Sequence, residues 1–231
     1  MSTLILEPHF DDTAYSMAGL LLSGVISADT TIVTIFSRSS FAPYSTLSDT
    51  EKISALRYTE HKHFCKKISV RAHVLDYDEA LLRGWSVNNI FDHTCDIDHE
   101  KQLKQRISSD LAMLNESLRP AEVYSPLGIC GHIDHILVRQ CAEHVFPLKI
   151  KYYEELPYAG EIRPEEYTRW ISKLTKDLYP QINTDLSVLE QRLSLLRFYR
   201  SQVTEKDITA VRNYMNMHQG ERFWSKTNMV I

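Results

Sequence analysis

Short apolar runs alternate with helix-patterned stretches along the first two thirds of the chain. Residues 3–7, 30–36, 72–76, 122–125 and 149–154 are rich in Ile, Val, Leu, Thr and Tyr and are too short for helices, so they are predicted strands. Between them, residues 14–22, 49–67, 99–118 and 134–145 carry apolar residues at helical spacing. Asp49 is placed to cap the second of these helices, and Pro120 to stop the third. Pro126 is expected to halt the fourth strand. Residues 164–176, 185–199 and 208–217 make the tail read as mainly helical. Strand–helix alternation implies an α/β fold with a mostly parallel sheet covered on both faces. No repeat, low-complexity tract or linker divides residues 1–231, so a single domain is expected.

Composition narrows the function classes. A net charge of −4 is not the basic signature of a nucleic-acid binder, and no nucleic-acid partner is expected. No stretch approaches the ~18 continuous apolar residues of a membrane span, and no leader pattern opens the chain, so the expected location is the cytoplasm. Cys65, Cys95, Cys130 and Cys141 form no CxxC pair and are expected as free, partly buried thiols. Nothing in the pattern sets an oligomeric state.

Candidate chemistry sits in two clusters, Pro8-His9-Phe10-Asp11-Asp12 and Gly131-His132-Ile133-Asp134-His135. The first directly follows a predicted strand, and the second lies a few residues after another. Ligands of open α/β sheets bind at the carboxyl ends of strands, which would bring both clusters to one rim. On a chain leaving a strand for a helix, His9 and Asp12 at i, i+3 can face one point, and His135 completes a two-His, one-carboxylate metal set. Asp11 would stay unligated and accept a proton from activated water as a general base. His132 can be a further ligand, an oxyanion stabiliser or an acid. Asp134 can orient a histidine through its other ring N–H.

Blander readings compete. Asp11 or Asp12 could simply cap the following helix, and His132 and His135 could lie on a solvated helix. A third cluster, His93-Thr94-Cys95-Asp96-Ile97-Asp98-His99, follows no convincing strand; Asp98 is expected as a helix N-cap there. His61 and His63, on a charged helix, are expected to be solvated. Tyr44, Trp85, Tyr158 and Trp224 could line a sugar-sized pocket or belong to core and rim, and one of Tyr152 and Tyr153 is expected to face the core.

The paired motifs resemble those of the PIG-L/LmbE-like family of zinc-dependent de-N-acetylases, in the same order and with similar separation. Supporting likenesses run along nearly the whole chain: Phe36-Ser37-Arg38, Arg57-Tyr58-Thr59-Glu60, the segment from Tyr153 to Ala159, Tyr199-Arg200-Ser201-Gln202, and Gly220 to Trp224. Phe10 stands where many members have Pro, and Thr13 where many have Glu; Ser16 and Gly19 match a subgroup with varied sugar or sugar-conjugate substrates.

The resemblance implies a Rossmann-like three-layer sandwich with a helical C-terminal region. It implies one Zn2+ per chain, held by His9, Asp12 and His135, though other divalent metals suit such ligands. Asp11 would be the base, with His132 and Asp134 also in the catalytic set and Arg57 and Arg38 contacting substrate. The implied enzyme is an N-deacetylase hydrolysing the amide C–N bond of an amino-sugar (N-acetylglucosamine-type) conjugate. The alternatives are an amidase of the same fold cutting a non-sugar or thiol conjugate, and a non-catalytic sugar- or nucleotide-binding homologue.

Overall fold

The computed structural model describes residues 2–91 and 100–226. The His93–His99 cluster, with Cys95 and the Asp98 cap, lies outside the described residues. The strands are β1 (Thr3–Glu7), β2 (Thr30–Thr34), β3 (Arg71–Val74), β4 (Glu122–Pro126), β5 (Ile150–Tyr153), β6 (Tyr179–Asn183) and β7 (Glu221–Ser225). They form one sheet in the order β3-β2-β1-β4-β5-β7-β6. β1 to β5 run parallel, and β7 joins β5 and β6 antiparallel. Every residue of β1, β2 and β5 is buried, as expected for strands covered on both faces. Tyr152 and Tyr153 are therefore both in the core, rather than one of them.

The helices are α1 (Asp12–Ser16), α2 (Ala18–Leu22), α3 (Thr50–Ile68), α4 (Lys101–Leu118), α5 (Ile133–Val145), α6 (Tyr158–Glu161), α7 (Pro164–Leu174), α8 (Leu189–Leu196) and α9 (Glu205–His218). Asp49 caps α3 by accepting the Lys52 N–H at 2.9 Å. Two expectations need correction. The single helix expected over residues 14–22 is broken at Met17 (φ −132°). The break frees the first amides of α2, and the Glu221 carboxylate accepts from Gly19 N at 2.9 Å and Leu20 N at 2.6 Å. The carboxylate comes so close that a Cβ at Gly19 would sit 2.7 Å from it, which explains the glycine. The tail also contains β6 and β7, which the reading of a mainly helical tail missed. β6 is an edge strand carrying Pro180, and β7 is five residues with a buried glutamate, so neither shows a strand's apolar pattern.

β2 and β3 lie to one side of β1, β4 and β5 to the other, so strand order reverses between β1 and β4. This is where an open parallel sheet leaves a crevice. The chain leaving β1 carries His9 to Asp12, and the chain leaving β4 carries residues 127–135 into α5.

Candidate active site at the strand-order switch

The two motifs, distant in sequence, meet at this crevice. Donor atoms of His9, Asp12 and His135 all lie within 4.8 Å of one another, and all three residues are buried. Asp12 joins the motifs: Oδ2 is 3.4 Å from His9 Nδ1 and Oδ1 is 3.5 Å from His135 Nε2. Oδ2 also accepts the backbone N–H of His9 at 2.7 Å, which fixes the i, i+3 pair. Asp11 occupies the N-cap position of α1, but its side chain makes no capping bond. The capping explanation of the first motif is thus not realised. His132 and His135 are buried, not on a solvated face.

Carboxylates stand behind both His9 and His135. Asp134 Oδ2 is 3.0 Å from His9 Nε2 and accepts the Ala80 N–H at 3.0 Å; Arg83 Nη2 lies 2.8 Å from Oδ1. Glu155 Oε1 is 3.5 Å from His135 Nδ1, while the same carboxylate accepts from Gly128 N and from Ile129 N. Glu155 was not singled out from the sequence as a site residue. Its only signal was membership of the Tyr153 to Ala159 segment, because its partners lie in a distant loop.

A second triad of buried donors, His9, His132 and Asp134, is equally compact. In that group Asp134 already binds His9, Ala80 N and Arg83, and His132 Nδ1 accepts the Asp134 N–H at 3.2 Å, which leaves His132 Nε2. Both ring nitrogens of His135, in contrast, are buried without a hydrogen-bond partner. An orphaned imidazole beside a second imidazole and a carboxylate fits a divalent cation at His9, Asp12 and His135.

Charge and burial set the protonation of these groups. Burial disfavours charge on His9, but the Asp12 and Asp134 carboxylates outweigh it and raise its pKa to about 10. Burial likewise opposes ionisation of Asp12, yet His135 and His9 draw it down to about 2. Asp134 is also lowered against burial, by His9 and Arg83. Asp11 is raised by burial and by Asp12, with Arg57 opposing. His132 is pushed well below its usual value by burial and by the neighbouring His135 and His9.

These groups line a cavity of about 290 Å³. Arg57 lies on its wall, 3.3 Å from Asp11 Oδ1; its other amino group donates to Ser39 Oγ at 2.7 Å and pairs with Glu79 at 3.4 Å. Arg38 is not in the cavity wall. Its guanidinium turns outward to Glu51 (3.0 Å) and Asp78 (3.3 Å), and its side chain is 41% exposed. The structure thus places Arg57, but not Arg38, on the wall of this cavity. Neighbouring side chains of extended chain point opposite ways, and it is Ser39 that faces Arg57. Tyr158 lines the cavity, whereas Trp224 is buried in the core, Tyr44 is exposed, and Trp85 donates to Glu100 at 2.9 Å. Phe41, Val87 and Phe91 line the cavity while remaining exposed, and Phe91 stands edge-on to His132 and Tyr158.

Residues 4–146 match the family model described as PIG-L: GlcNAc-PI de-N-acetylase. A 2'-N-acetylparomamine deacetylase of Streptomyces fradiae is 28% identical over 215 residues, covering 88% of this chain and 74% of its own. A deacetylase–teicoplanin complex superposes with a TM-score of 0.76 at 18% identity, over 97% of each chain. The zinc-inhibited form of the teicoplanin deacetylase Orf2 gives 0.74 at 17% identity, over 100% of each chain. At these identities the two structures show the shared α/β fold. Among the described residues, no helix is long and apolar enough to cross a membrane.

Proposed function

The chain belongs to the PIG-L (GlcNAc-PI de-N-acetylase) family, and from that premise we propose that it is a zinc-dependent hydrolase removing an N-acetyl group from an amino-sugar conjugate. The observation that carries the reading is the buried His135 Nε2, which has no hydrogen-bond partner and stands 3.5 Å from Asp12 Oδ1 beside His9. A divalent cation held by His9, Asp12 and His135 would supply Lewis acidity toward the amide oxygen and make water acidic enough to react near neutral pH.

The remaining steps belong to the chain's own side chains. Asp11 accepts a proton from the attacking water on its carboxylate. Its raised affinity for protons lets it hold that proton and return it to the amide nitrogen as the C–N bond breaks. Acetate and a free amine leave, and the carboxylate is restored. Arg57 holds one Asp11 oxygen, which orients the other. His132 Nδ1 is occupied by a backbone N–H, so the neutral ring carries its proton on Nε2. This suits a fixed donor to the tetrahedral oxyanion rather than an acid that cycles through its charged form. Asp134 and Glu155 orient His9 and His135.

A cavity of about 290 Å³ is near the small end of ligand pockets and suits one acetamido sugar ring. The rest of the conjugate would emerge past Phe41 and Val87. The relative from Streptomyces fradiae, a deacetylase of an amino-sugar compound by name, supports this substrate class. The test is to incubate zinc-loaded protein with a panel of N-acetylated amino-sugar conjugates and assay acetate and new primary amine. Equimolar release of both is expected. A panel that yields neither contradicts the proposal.

A further inference from the structure

Beneath the turn that carries Asp11 lies a buried polar group to which the reaction above assigns no part. His61, on the inner face of α3, is fully buried, not solvated as its charged neighbours suggested; His63 is exposed. Its Nδ1 is 2.9 Å from the carbonyl oxygen of Phe10, the peptide immediately preceding Asp11. A carbonyl only accepts, so Nδ1 carries the hydrogen and Nε2 is left as an acceptor. Nε2 has a partner of the right kind in the Cys65 thiol at 3.2 Å. Tyr199 Oη (3.2 Å) and Glu7 Oε1 (3.4 Å) complete the surroundings of Nδ1, and the ring packs on Phe10 at 5.1 Å between centroids.

Glu7 holds the other end of the same turn. It is completely buried at the end of β1, accepts the Thr13 N–H at 3.1 Å and is bonded by the Thr34 hydroxyl at 2.7 Å. The stretch from Phe10 to Thr13 is thus held from beneath at both ends, at a carbonyl by His61 and at an amide by Glu7. Asp11 and Asp12 lie between these anchors. The ligand pair has its own brace, the bond from His9 N to Asp12, whereas the Asp11 side chain makes no capping bond to α1 and leans on Arg57.

We propose that His61 is a positioning residue for the base: as a buried Nδ1–H donor to the Phe10 carbonyl, it sets the orientation of the peptide that presents Asp11 to the substrate. The role rests on the deacetylase reading of the site. Burial pulls the His61 pKa down to about 4 against the Phe10 carbonyl, and pushes that of the Cys65 thiol up, so both keep the protonation state the geometry demands at neutral pH. A small misplacement of a reacting group costs up to about 100-fold in rate.

The test compares His61→Asn with His61→Gln. An asparagine amide can occupy the place of Nδ1, whereas a glutamine amide reaches toward the place of Nε2. On an N-acetylated amino-sugar conjugate that the wild type turns over, His61→Asn should keep kcat within about threefold, and His61→Gln should lose about tenfold or more. KM and zinc affinity should stay within about threefold in both. A structural role alone would lower the melting temperature of both variants without separating their kcat values. Equal kcat in the two, or a loss that tracks zinc affinity, overturns the proposal.

Should neither variant fold, 15N NMR of the wild-type imidazoles decides: the proposal requires a neutral His61 with its proton on Nδ1 at pH 7. A proton on Nε2, or a charged ring, refutes it. Wild-type protein with the Nδ1–H form but no acetate release counts against the deacetylase reading and still supports the bond to Phe10.

Discussion

Two buried carboxylate clusters in this molecule are built from similar residues and end differently. In the C-terminal region, Glu154 accepts from Tyr214 Oη (2.6 Å), Tyr167 Oη (2.8 Å) and Trp224 Nε1 (2.8 Å), with Arg222 at 3.6 Å. Nearby in sequence to that arginine, Glu221 accepts from Gly19 N, Leu20 N and Arg192. These acids are saturated with donors and closed to any ligand. At the strand-order switch, Asp12 meets two imidazoles, His135 has no hydrogen-bond partner at either nitrogen, and Asp11 faces a cavity with Arg57 on one oxygen. Burial of charge is common to both regions; the carboxylates of the closed one are satisfied, although Arg192 Nη1 and Arg222 Nε lack a hydrogen bond, whereas at the switch it is the imidazole of His135 that is left over. A closed cluster stabilises, and an open one holds something else.

The comparison breaks most sharply at Asp11. Asp11→Asn should lower kcat by about 10²–10⁴ while zinc binding persists, read by acetate release alongside metal analysis. Full activity would remove the assigned base. In the closed region, Glu221→Ala should cost about 3–5 kcal/mol of stability, because Arg192 is left buried without its partner and α2 loses its cap. Urea denaturation measures it, and a loss below about 1 kcal/mol would show that the cluster is not saturated in the sense described.

A smaller effect is expected behind the ligands. Asp134→Asn should weaken zinc binding about 10- to 100-fold, measured by competition with a chelator. Unchanged affinity would mean that His9 needs no orienting carboxylate.

pH sharpens the contrast further. In the metal-free chain the His9 pKa is raised from 6.5 to about 10, so its contribution to stability is fully present below about 6.5 and is lost as pH rises through about 10. Metal-free protein should therefore lose melting temperature across that window. Zinc competes with the same proton, so its affinity should rise over the same range. A flat profile in both measurements would contradict the assigned partners of His9. The smallest effect is expected at Arg38: Arg38→Ala should change kcat/KM less than about twofold, since Arg38 makes exposed ion pairs, and a larger loss would put its side chain against the substrate.

What the sequence made legible follows from how local each signal is. The parallel core was readable because β1, β2 and β5 are short runs dominated by aliphatic, β-branched and aromatic residues, buried on both faces. β6 and β7 were not, since an edge strand tolerates Pro180 and β7 buries a glutamate that serves α2. The same distinction governs the site. His9, Asp11 and Asp12 are adjacent and directly follow a strand, so their convergence on His132 and His135 could be inferred from strand polarity. Glu155 and His61 gave no such signal. Each acts through one atom on a peptide or ring brought near only by folding, and a charged helix face around His61 suggested solvent instead. Arg38 lies apart from the cavity wall for a local reason: one position in an extended segment decides which face a side chain takes.

On the reading proposed above, two distant motifs form one cation site. Calorimetric titration of the chelator-stripped chain with zinc tests this most directly, in the wild type and in His9→Ala and His135→Ala. The account predicts one ion per chain with proton release in the wild type, and loss of that binding in either variant alone. Saturable binding that survives both substitutions, or none in the wild type, would contradict it.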